Sequence, residues 1–364
     1  MTHFRTAFMG LALLALASCA TAPQVAQEQA QAEIVFPPPP EPARFIFERT
    51  IRGSADIEIV DKETRWRRIL TGETGTSLGL SKPFDVEGCQ GRIYVSDTVA
   101  RSVFIFDVPS GEFSEIGVEG QGELQKPLGM ATDEECNLYV ADGSAQRVVV
   151  FDQSGQFITA IGEVDMFDRL SHVEVDPAGE RIYCVDTGGV GSDRHHVRVF
   201  DVGSGEHLYD IGRRGNQPGE FNLARDIAMG PDGNLYIVDG GNFRVQVFDL
   251  DGNFIRQIGA IGVRTGQFSR PKGIDTDADG NVYVSDSVFG NFQIFNTDGQ
   301  LLLFVGDRSE TPRPATFMLP AGLAVDEDGR VYMVDQFFRK VDIFRPAAIS
   351  ATDGYLGART EPVE

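Results

Sequence analysis

Residues 223–259 read LARDIAMGPDGNLYIVDGGNFRVQVFDLDGNFIRQIG, and this stretch decides the fold. The segments DIAM, LYIVD, VQVFD and FIRQIG are rich in β-branched and aromatic side chains and alternate as strands do. The turns between them contain the Asp-Gly and Gly-Asn pairs that favour tight hairpins. The stretch therefore predicts four short antiparallel strands. One such sheet cannot bury both of its faces alone, so it needs copies of itself on either side.

The same pattern recurs along the chain. An Asp closes the second strand of each unit, and successive copies are separated by 45, 44, 53, 47 and 49 residues. These residues are Asp97, Asp142, Asp186, Asp239, Asp286 and Asp335. A Phe near the end of the third strand recurs with them, at Phe106, Phe151, Phe200, Phe248, Phe295 and Phe344. Six units of four strands predict an all-β fold, a six-bladed β-propeller.

The repeat has the consensus P-x-G-I-x-x-D-x-D-G-N-x-Y-V-x-D followed by R-x-x-x-F-D-x-D-G, which resembles the NHL repeat. RPKGIDTDADGNVYVSD at residues 270–286 matches it almost position by position. The resemblance covers roughly residues 44–346. It implies the propeller fold but does not choose a function, because NHL propellers include protein binders, nucleic-acid binders and enzymes.

The charge of the chain narrows the class of partner. Lys and Arg number 32 against 54 Asp and Glu, so the formal net charge is -22. A surface this anionic repels phosphate backbones, which argues against nucleic-acid binding. The charge is consistent with simple solubility or with attraction to a basic partner.

The N-terminal segment resembles that of a bacterial lipoprotein. Residues 1–18 combine Arg5 with an apolar run from Ala7 to Ala17, too short for a membrane span. Leu16-Ala17-Ser18-Cys19 resembles a lipobox, which implies lipidation of Cys19. Because Ala20 follows the Cys, the resemblance implies sorting to the outer membrane, where the lipid is the only contact with the bilayer. Residues 19–43, rich in Ala, Gln and Pro, are predicted to be a tether.

The propeller is assigned to residues 44–346, with an irregular tail at 347–364. The sixth repeat shows only three strands, so an N-terminal strand is predicted to complete that blade and close the ring. RFIFERTIRG at 44–53 is the favoured closing strand. The alternative is WRRILTG at 66–72, unless residues 61–70 form a short helix capped by Asp61.

In this topology one face, the top face, carries the links between blades and the turns between second and third strands. The long insertions fall there. The interval from Asp to Phe is nine residues in five blades and fourteen in the third blade, from Asp186 to Phe200. Variable loops on a rigid scaffold carry function. Residues 187–198 are therefore predicted to contact a partner, through Asp193, Arg194, His195 and His196.

A second candidate site lies where the innermost strands begin. The repeat places Gly129, Gly273 and Gly322 there, whereas the other three blades have Asp85, His172 and Asp226. Two carboxylates and an imidazole suit a divalent cation, calcium or zinc, at the channel mouth. Local hydrogen bonding is the alternative interpretation.

Enzymatic relatives fit this site poorly. NHL-like amidating lyases hold zinc with His residues at inner-strand starts, but this chain has no His triad there, which counts against a lyase. Lactonase-like propellers bind calcium with Glu, Asn and Asp near the channel. Asp85 and Asp226 match that set loosely, and Glu and Asn are missing from the aligned positions.

Two further sets of residues have structural interpretations. Each repeated Asp is predicted to cap a tight turn and to pair with the basic residue that follows, such as Arg147, Arg244 or Lys340. Cys184 is predicted to be a buried thiol. Cys89 and Cys136 occupy corresponding turns of adjacent blades, and either a disulfide or two separate thiols is compatible with the sequence.

Together these features favour an exported, lipid-anchored propeller whose top face binds a protein partner of the cell envelope. The alternative is a metal-dependent enzyme, similar to an amidating lyase or a lactonase, with its site at the channel mouth. An enzyme is the less favoured interpretation because the sequence contains no nucleophile elbow, phosphate-binding loop or paired-carboxylate motif.

The lipobox generates the first prediction. Cys19→Ser removes the acyl acceptor, so the variant should leave the membrane fraction while the wild type sediments with it. Mass spectrometry of the wild type should show the acyl groups. If the variant still sediments and the wild type carries no acyl mass, lipidation at Cys19 is wrong.

Overall fold

A computed structural model describes residues 33–59, 66–67, 70–71 and 77–357. Six antiparallel sheets form the blades of a β-propeller. Their innermost strands contact one another in chain order, and the last contacts the first, so the ring is closed. The predicted signal peptide, Cys19 and most of the predicted tether lie outside the described residues.

The first three blades each contain four strands in sequential order. Blade 1 contains β3 (Pro83–Cys89), β4 (Arg92–Asp97), β5 (Ser102–Asp107) and β6 (Glu112–Ile116). Blade 2 contains β7 (Pro127–Thr132), β8 (Leu138–Asp142), β9 (Arg147–Phe151) and β10 (Phe157–Ile161). Blade 3 contains β11 (Leu170–Val175), β12 (Arg181–Asp186), β13 (His196–Asp201) and β14 (His207–Ile211).

The next two blades repeat this order, and the last does not. Blade 4 contains β15 (Ala224–Met229), β16 (Leu235–Asp239), β17 (Arg244–Phe248) and β18 (Phe254–Ile258). Blade 5 contains β19 (Pro271–Thr276), β20 (Val282–Asp286), β21 (Asn291–Phe295) and β22 (Leu301–Val305). In the link to blade 6, β23 (Asp307–Arg308) and β24 (Thr316–Phe317) form a short parallel pair. Blade 6 contains β25 (Pro320–Val325), β26 (Val331–Asp335), β27 (Lys340–Pro346), β2 (Phe45–Ile51) and β1 (Val35–Phe36).

The predicted closure of the ring by an N-terminal strand is confirmed. β2 pairs antiparallel with β27, with Phe47 opposite Phe344 and Ile51 opposite Val341. The strand is the favoured segment RFIFERTIRG. The described residues of the alternative, 66–67 and 70–71, are helical instead, and Asp61 lies outside the described residues.

Hydrophobic side chains fill the spaces between neighbouring blades. The six repeated Phe residues are all at most 2% exposed, because successive side chains of a strand point to opposite faces and both faces of each blade are covered. Six buried clusters result. Cys184 belongs to one of them as a free, buried thiol, and its burial raises the thiol pKa.

A disulfide joins blades 1 and 2. Cys89 ends the inner strand β3, Cys136 lies in the turn after β7, and their Cα atoms are 5.9 Å apart. Both half-cystines are buried. Glu327 lies close to both, but the disulfide leaves no thiolate there to hold a metal.

The repeated aspartates hold the start of each blade. Asp97 accepts hydrogen bonds from the backbone N–H groups of Val99 and Ala100, each at 3.0 Å, which caps the turn as predicted. Its other oxygen accepts the N–H groups of Ser81 and Lys82, at 2.6 and 2.8 Å, in the link that leads into the same blade. The remaining five make corresponding contacts to their links: Asp142, Asp186, Asp239, Asp286 and Asp335.

The predicted pairing of these aspartates with the following basic residue is wrong for most blades. Among the described residues it occurs in blade 4, where Asp239 lies 2.9 Å from Arg244. Arg147 instead donates to backbone carbonyls of the incoming link, and Lys340 pairs with Asp342. The reason is that backbone N–H groups already occupy the carboxylate oxygens.

The chain between β2 and β3 does not stay on the top face, contrary to the predicted placement of every long insertion there. After a short 3-10 helix at Ser54–Asp56 it continues to Ile59. A Cβ added at Gly111, in the turn between the two outer strands of blade 1, would lie 2.6 Å from Ile59 Cγ1. This part of the insertion therefore packs at the bottom of blade 1.

The ends of the described chain are also partly ordered. β1 lies within the segment predicted as a tether and pairs with the start of β2. In the tail predicted to be irregular, α1 (Gly354–Gly357) buries Leu356. Arg330, which is itself fully buried, donates to the carbonyl of Asp353 at 2.7 Å. Among the described residues no helix has both the length and the apolarity of a membrane span.

The closing strand generates the second prediction. Ile51 is 0% exposed, so Ile51→Ala should lower the free energy of unfolding by about 2–5 kcal/mol, measured by urea denaturation. The matched control is Ile158→Ala, at a side chain 49% exposed on β10, which should change it by less than about 0.5 kcal/mol. Equal effects of the two substitutions would mean that β2 does not contribute to the cooperative fold.

Candidate functional site at the channel mouth

The three residues singled out at the inner-strand starts meet at the top of the central channel. His172 Nε2 lies 2.9 Å from Asp85 Oδ2 and 2.8 Å from Asp226 Oδ1. The side chains come from β11, β3 and β15, and all three residues are buried, with 2 to 6% of their surface exposed. We call them the His172 cluster.

Glycines in the neighbouring blades make room for this cluster. A Cβ at Gly129 would lie 2.0 Å from His172 Cδ2, and a Cβ at Gly322 would lie 1.8 Å from Asp85 Oδ1. The side chain that replaces the repeat glycine in one blade therefore fills the space that the glycine of a neighbouring blade leaves open. Any larger residue at these glycines would displace the cluster.

The carboxylates of the cluster also bind backbone groups. Asp85 Oδ2 accepts the N–H of Met130 at 2.8 Å. Asp226 accepts the N–H of Ile227 at 2.7 Å and that of Ile274 in blade 5 at 3.0 Å. Inner strands leave one edge unpaired at the channel, so these contacts satisfy polar groups that would otherwise lack partners.

The imidazole of His172 is held in its charged form. Burial disfavours the charge, but the negative charges of Asp226 and Asp85 outweigh it and raise the pKa of His172 well above its ordinary value. A protonated Nε2 donates to the carboxylates and offers no lone pair to a metal, whereas the buried Nδ1 has no hydrogen-bond partner. The ligand atoms of the three residues also do not all come within 4.8 Å of one another. In this arrangement the cluster fits the hydrogen-bonding interpretation better than the metal site.

A second layer of acids, which the sequence analysis missed, lies two residues deeper along the inner strands. Glu87, Glu174 and Asp275 occupy alternate blades, and the intervening blades have alanine at the corresponding positions, Ala131, Ala228 and Ala324. The three acids and His172 line one cavity of about 460 Å³. The signal that could have found them is the replacement of alanine by acid at every second repeat.

Confinement in the channel changes the acidity of this layer. Burial, with the charge of Asp275 and other nearby acids, raises the pKa of Glu87 well above its ordinary value. Burial is also the main cause that raises the pKa of Glu174 to about 8 and that of Asp275 to about 7. Glu174 and Asp275 therefore exchange protons near neutral pH, where ordinary carboxylates are fully ionised.

Above the His172 cluster the mouth is cationic. Arg225 and Lys272 line a cavity of about 140 Å³ together with the cluster. Burial and the charges of Arg169 and Arg270 lower the pKa of Arg225. Burial and the charges of Arg225 and Arg270 lower the pKa of Lys272 to about 8. These four cations therefore lie close enough to repel one another.

The loop at residues 187–198 was predicted to present exposed contact residues, but part of it is buried. His195 is 1% exposed, and its Nε2 lies 3.0 Å from the carbonyl oxygen of Gly189. Its Nδ1 accepts the N–H of Leu223 at 3.0 Å. His195 is thus a structural link between the loop and blade 4, and it is not available to a partner.

The other three predicted contact residues of this loop also differ in how far their side chains are exposed. The His196 side chain is 13% exposed and lies 3.7 Å from both Asp186 and Asp210. The side chain of Asp193 is fully exposed, and that of Arg194 is 52% exposed although it lies 3.3 Å from Asp168. Only Asp193 and Arg194 of the four are therefore accessible on the top face. The sequence does not show which of the four residues are accessible, because the burial of the two adjacent His residues depends on their tertiary neighbours.

Comparison with known proteins identifies the repeat. The family model described as "NHL repeat" matches residues 221–248. NHL repeat-containing protein 3 from Mus musculus is 33% identical over 88 residues, and that from Homo sapiens is 31% identical over 88 residues. The matched segment spans 23% of this chain and 23% of each relative.

Solved structures share the architecture at low sequence identity. A gluconolactonase from Xanthomonas campestris has a TM-score of 0.57 and 16% identity, covering 82% of this chain and 98% of its own. Virginiamycin B lyase from Staphylococcus aureus has a TM-score of 0.51 and 11% identity, covering 73% and 95%. A chain of the nidogen/laminin complex has a TM-score of 0.53 and 14% identity, covering 68% and 88%. At these identities the likeness concerns the fold alone.

The acidic layer generates the third prediction. With a pKa raised to about 8, Glu174 keeps a proton in the folded state that the unfolded chain releases at lower pH. Folding stability should therefore fall as the pH rises from about 5 to about 8, by at most about 1.4 kcal/mol per pH unit for this group. Glu174→Gln should reduce that slope and stabilise the protein at the upper end.

The measurement is urea denaturation across this pH window. Glu112→Gln, at an exposed position on β6, is the matched control and should keep the wild-type slope. An unchanged slope in Glu174→Gln would contradict the assignment of Glu174 to the titrating layer.

Proposed function

This chain carries an NHL repeat and folds as a six-bladed β-propeller, and we propose that its top face binds a protein partner of the cell envelope. In this proposal the chain is exported and anchored by a lipid at Cys19 to the outer membrane. The propeller acts as a rigid platform. The loops and links of the top face form the contact surface.

The distribution of exposed apolar side chains carries the proposal. On the top face Val99, Val190, Val263 and Phe337 are 62%, 82%, 81% and 59% exposed. They occupy the turns between second and third strands or the links between blades. Within the described chain the hairpin turns of the bottom face expose no large apolar side chain. Outside those turns the bottom face exposes Ile59 and Tyr355, at 41% and 46%. The larger number of exposed apolar residues on the top face, rimmed by polar groups, supports a docking surface there.

The alternative function is a metal-dependent enzyme with its site at the channel mouth. Oxygen ligands such as Glu87, Glu174 and Asp275 suit calcium, and their cavity adjoins His172. A metal bound at Nε2 of His172 would require that atom to lose its proton and release both carboxylates, which weighs against a metal at this atom. Stoichiometric calcium or zinc in the purified protein would favour the enzyme over the binding protein.

The proposal generates the fourth prediction. Val190→Asp combined with Val263→Asp places two charges on the top face and should strongly reduce partner recovery in a quantitative pull-down from envelope extract. Ala178→Asp adds a charge at an exposed bottom turn and should leave recovery unchanged. All three substitutions are at exposed positions, so the melting temperatures of both variants should stay close to that of the wild type.

Partner recovery that is unaffected by the top-face variant, or equally reduced by the control, would move the binding surface elsewhere. These point substitutions are preferable to trimming the loop at 187–198, because His195 makes that loop part of the core.

A further inference from the structure

We propose that the cationic mouth of the channel recognises an acidic peptide segment of the partner. The segment would present Asp or Glu carboxylates to Arg169, Arg225, Arg270 and Lys272, and apolar side chains to the surrounding top face. This inference rests on the proposed function and specifies the chemistry of the partner. We call these four residues the mouth cations.

The mouth cations have no acidic partner of their own. Among the described residues no ion pair or side-chain hydrogen bond involves any of the four. Several other basic residues of the propeller are paired, as Arg244 is with Asp239, Arg330 with Glu48 and Arg198 with Asp210. In a chain with 54 acidic and 32 basic residues, four neighbouring unpaired cations are a local excess that the composition does not predict.

Nearby acids do not neutralise the mouth cations because those acids already have partners. Asp85 and Asp226 share the charged imidazole of His172 and accept backbone N–H groups. Asp335, whose charge acts on Lys272, accepts the N–H groups of Met318 and Leu319. The acids at the floor of the mouth therefore all have hydrogen-bond partners, and the cations above them face solvent or a ligand.

The arrangement is unfavourable to the free protein. Like charges in close proximity repel one another, and partial burial of Lys272 removes some of the water that would screen it. An anionic ligand would remove both penalties at once. Functional sites commonly retain such locally unfavourable arrangements because the ligand, when bound, satisfies them.

The extent of the site favours a peptide over a single small anion. Arg169, Arg225 and Arg270 belong to three consecutive blades, just before or within the inner strands β11, β15 and β19. Exposed apolar side chains lie on the loops and links of the same sector, among them Val190 and Val263. An extended segment with several carboxylates can use the whole arc, and guanidinium groups bind carboxylates in bidentate geometry.

The net charge of the chain also favours a peptide over a nucleic acid as the ligand. The chain as a whole has a formal net charge of -22, which repels a long polyanion that extends beyond the mouth. A short segment with a few carboxylates contacts the cationic mouth and is little affected by the negative charge on the rest of the chain. The observations therefore favour an acidic peptide over RNA or DNA.

The test uses the full propeller and a fluorescein-labelled, terminally blocked peptide of about ten residues in which glutamate and leucine alternate. Fluorescence anisotropy should show saturable binding that weakens as salt is added. The Arg225→Ala and Lys272→Ala double variant should bind at least about tenfold more weakly. Arg181→Ala, at an exposed cation on the bottom face, is the matched control and should bind like the wild type.

Thermal unfolding of the same proteins separates loss of binding from loss of folding. Because the mouth cations repel one another, the double variant should melt at the same temperature as the wild type or higher. Lys272→Met alone provides a second variant that keeps the aliphatic contacts. Equal binding of a glutamine–leucine peptide, tighter binding of an oligonucleotide of similar length, or self-association abolished by the double variant would each overturn the proposal.

The outcomes also distinguish this inference from the proposed function. If the acidic peptide does not bind while the variant at Val190 and Val263 still loses its envelope partner, the top face binds a protein of different chemistry. If the acidic peptide binds at the mouth and the variant at Val190 and Val263 keeps its partner, the mouth is an anion site unrelated to that partner, which also overturns this inference.

Discussion

The propeller depends on one buried interaction that is repeated in every blade. A fully buried Asp at the end of the second strand accepts N–H groups from the link that enters the same blade, as Asp97 does from Ser81 and Lys82. This contact sets the residue at which each inner strand begins. Because all six inner strands start at the same level, residues at equivalent repeat positions meet around one channel mouth.

This constraint turns small sequence differences between repeats into a site. A blade that has the repeat glycine leaves space at the channel mouth. In neighbouring blades the glycine is replaced by Asp85, His172 or Asp226, and these side chains occupy the mouth. Within the resulting cluster the imidazolium offsets one of the two carboxylate charges. Acids lie below the cluster and cations lie above it, so the channel separates charge along its axis within a chain that is acidic as a whole.

Much of the fold could be predicted from the sequence because the relevant signals are local. Strand alternation, Asp-Gly turns and a period near 47 residues are visible in single repeats. The meeting of Asp85, His172 and Asp226 could also be predicted, because equivalent repeat positions lie at the same level of a ring. The acids at Glu87, Glu174 and Asp275 were not predicted although the same argument applies to them, because there the acid alternates with alanine and replaces no repeat glycine.

The sequence by itself determined the number of blades, the closure of the ring by an N-terminal strand and the face that carries most of the long loops, since each follows from spacing and pattern. The pairing of β2 with β27 decided which N-terminal strand closes the ring. Only the tertiary structure decided the state of individual side chains. It buried His195 against Leu223, left Asp193 exposed and directed the repeated aspartates to backbone N–H groups. It also raises the pKa of His172 and leaves the mouth cations without an acidic partner. Such outcomes depend on which groups approach from neighbouring blades, and residues far apart in the chain supply those groups.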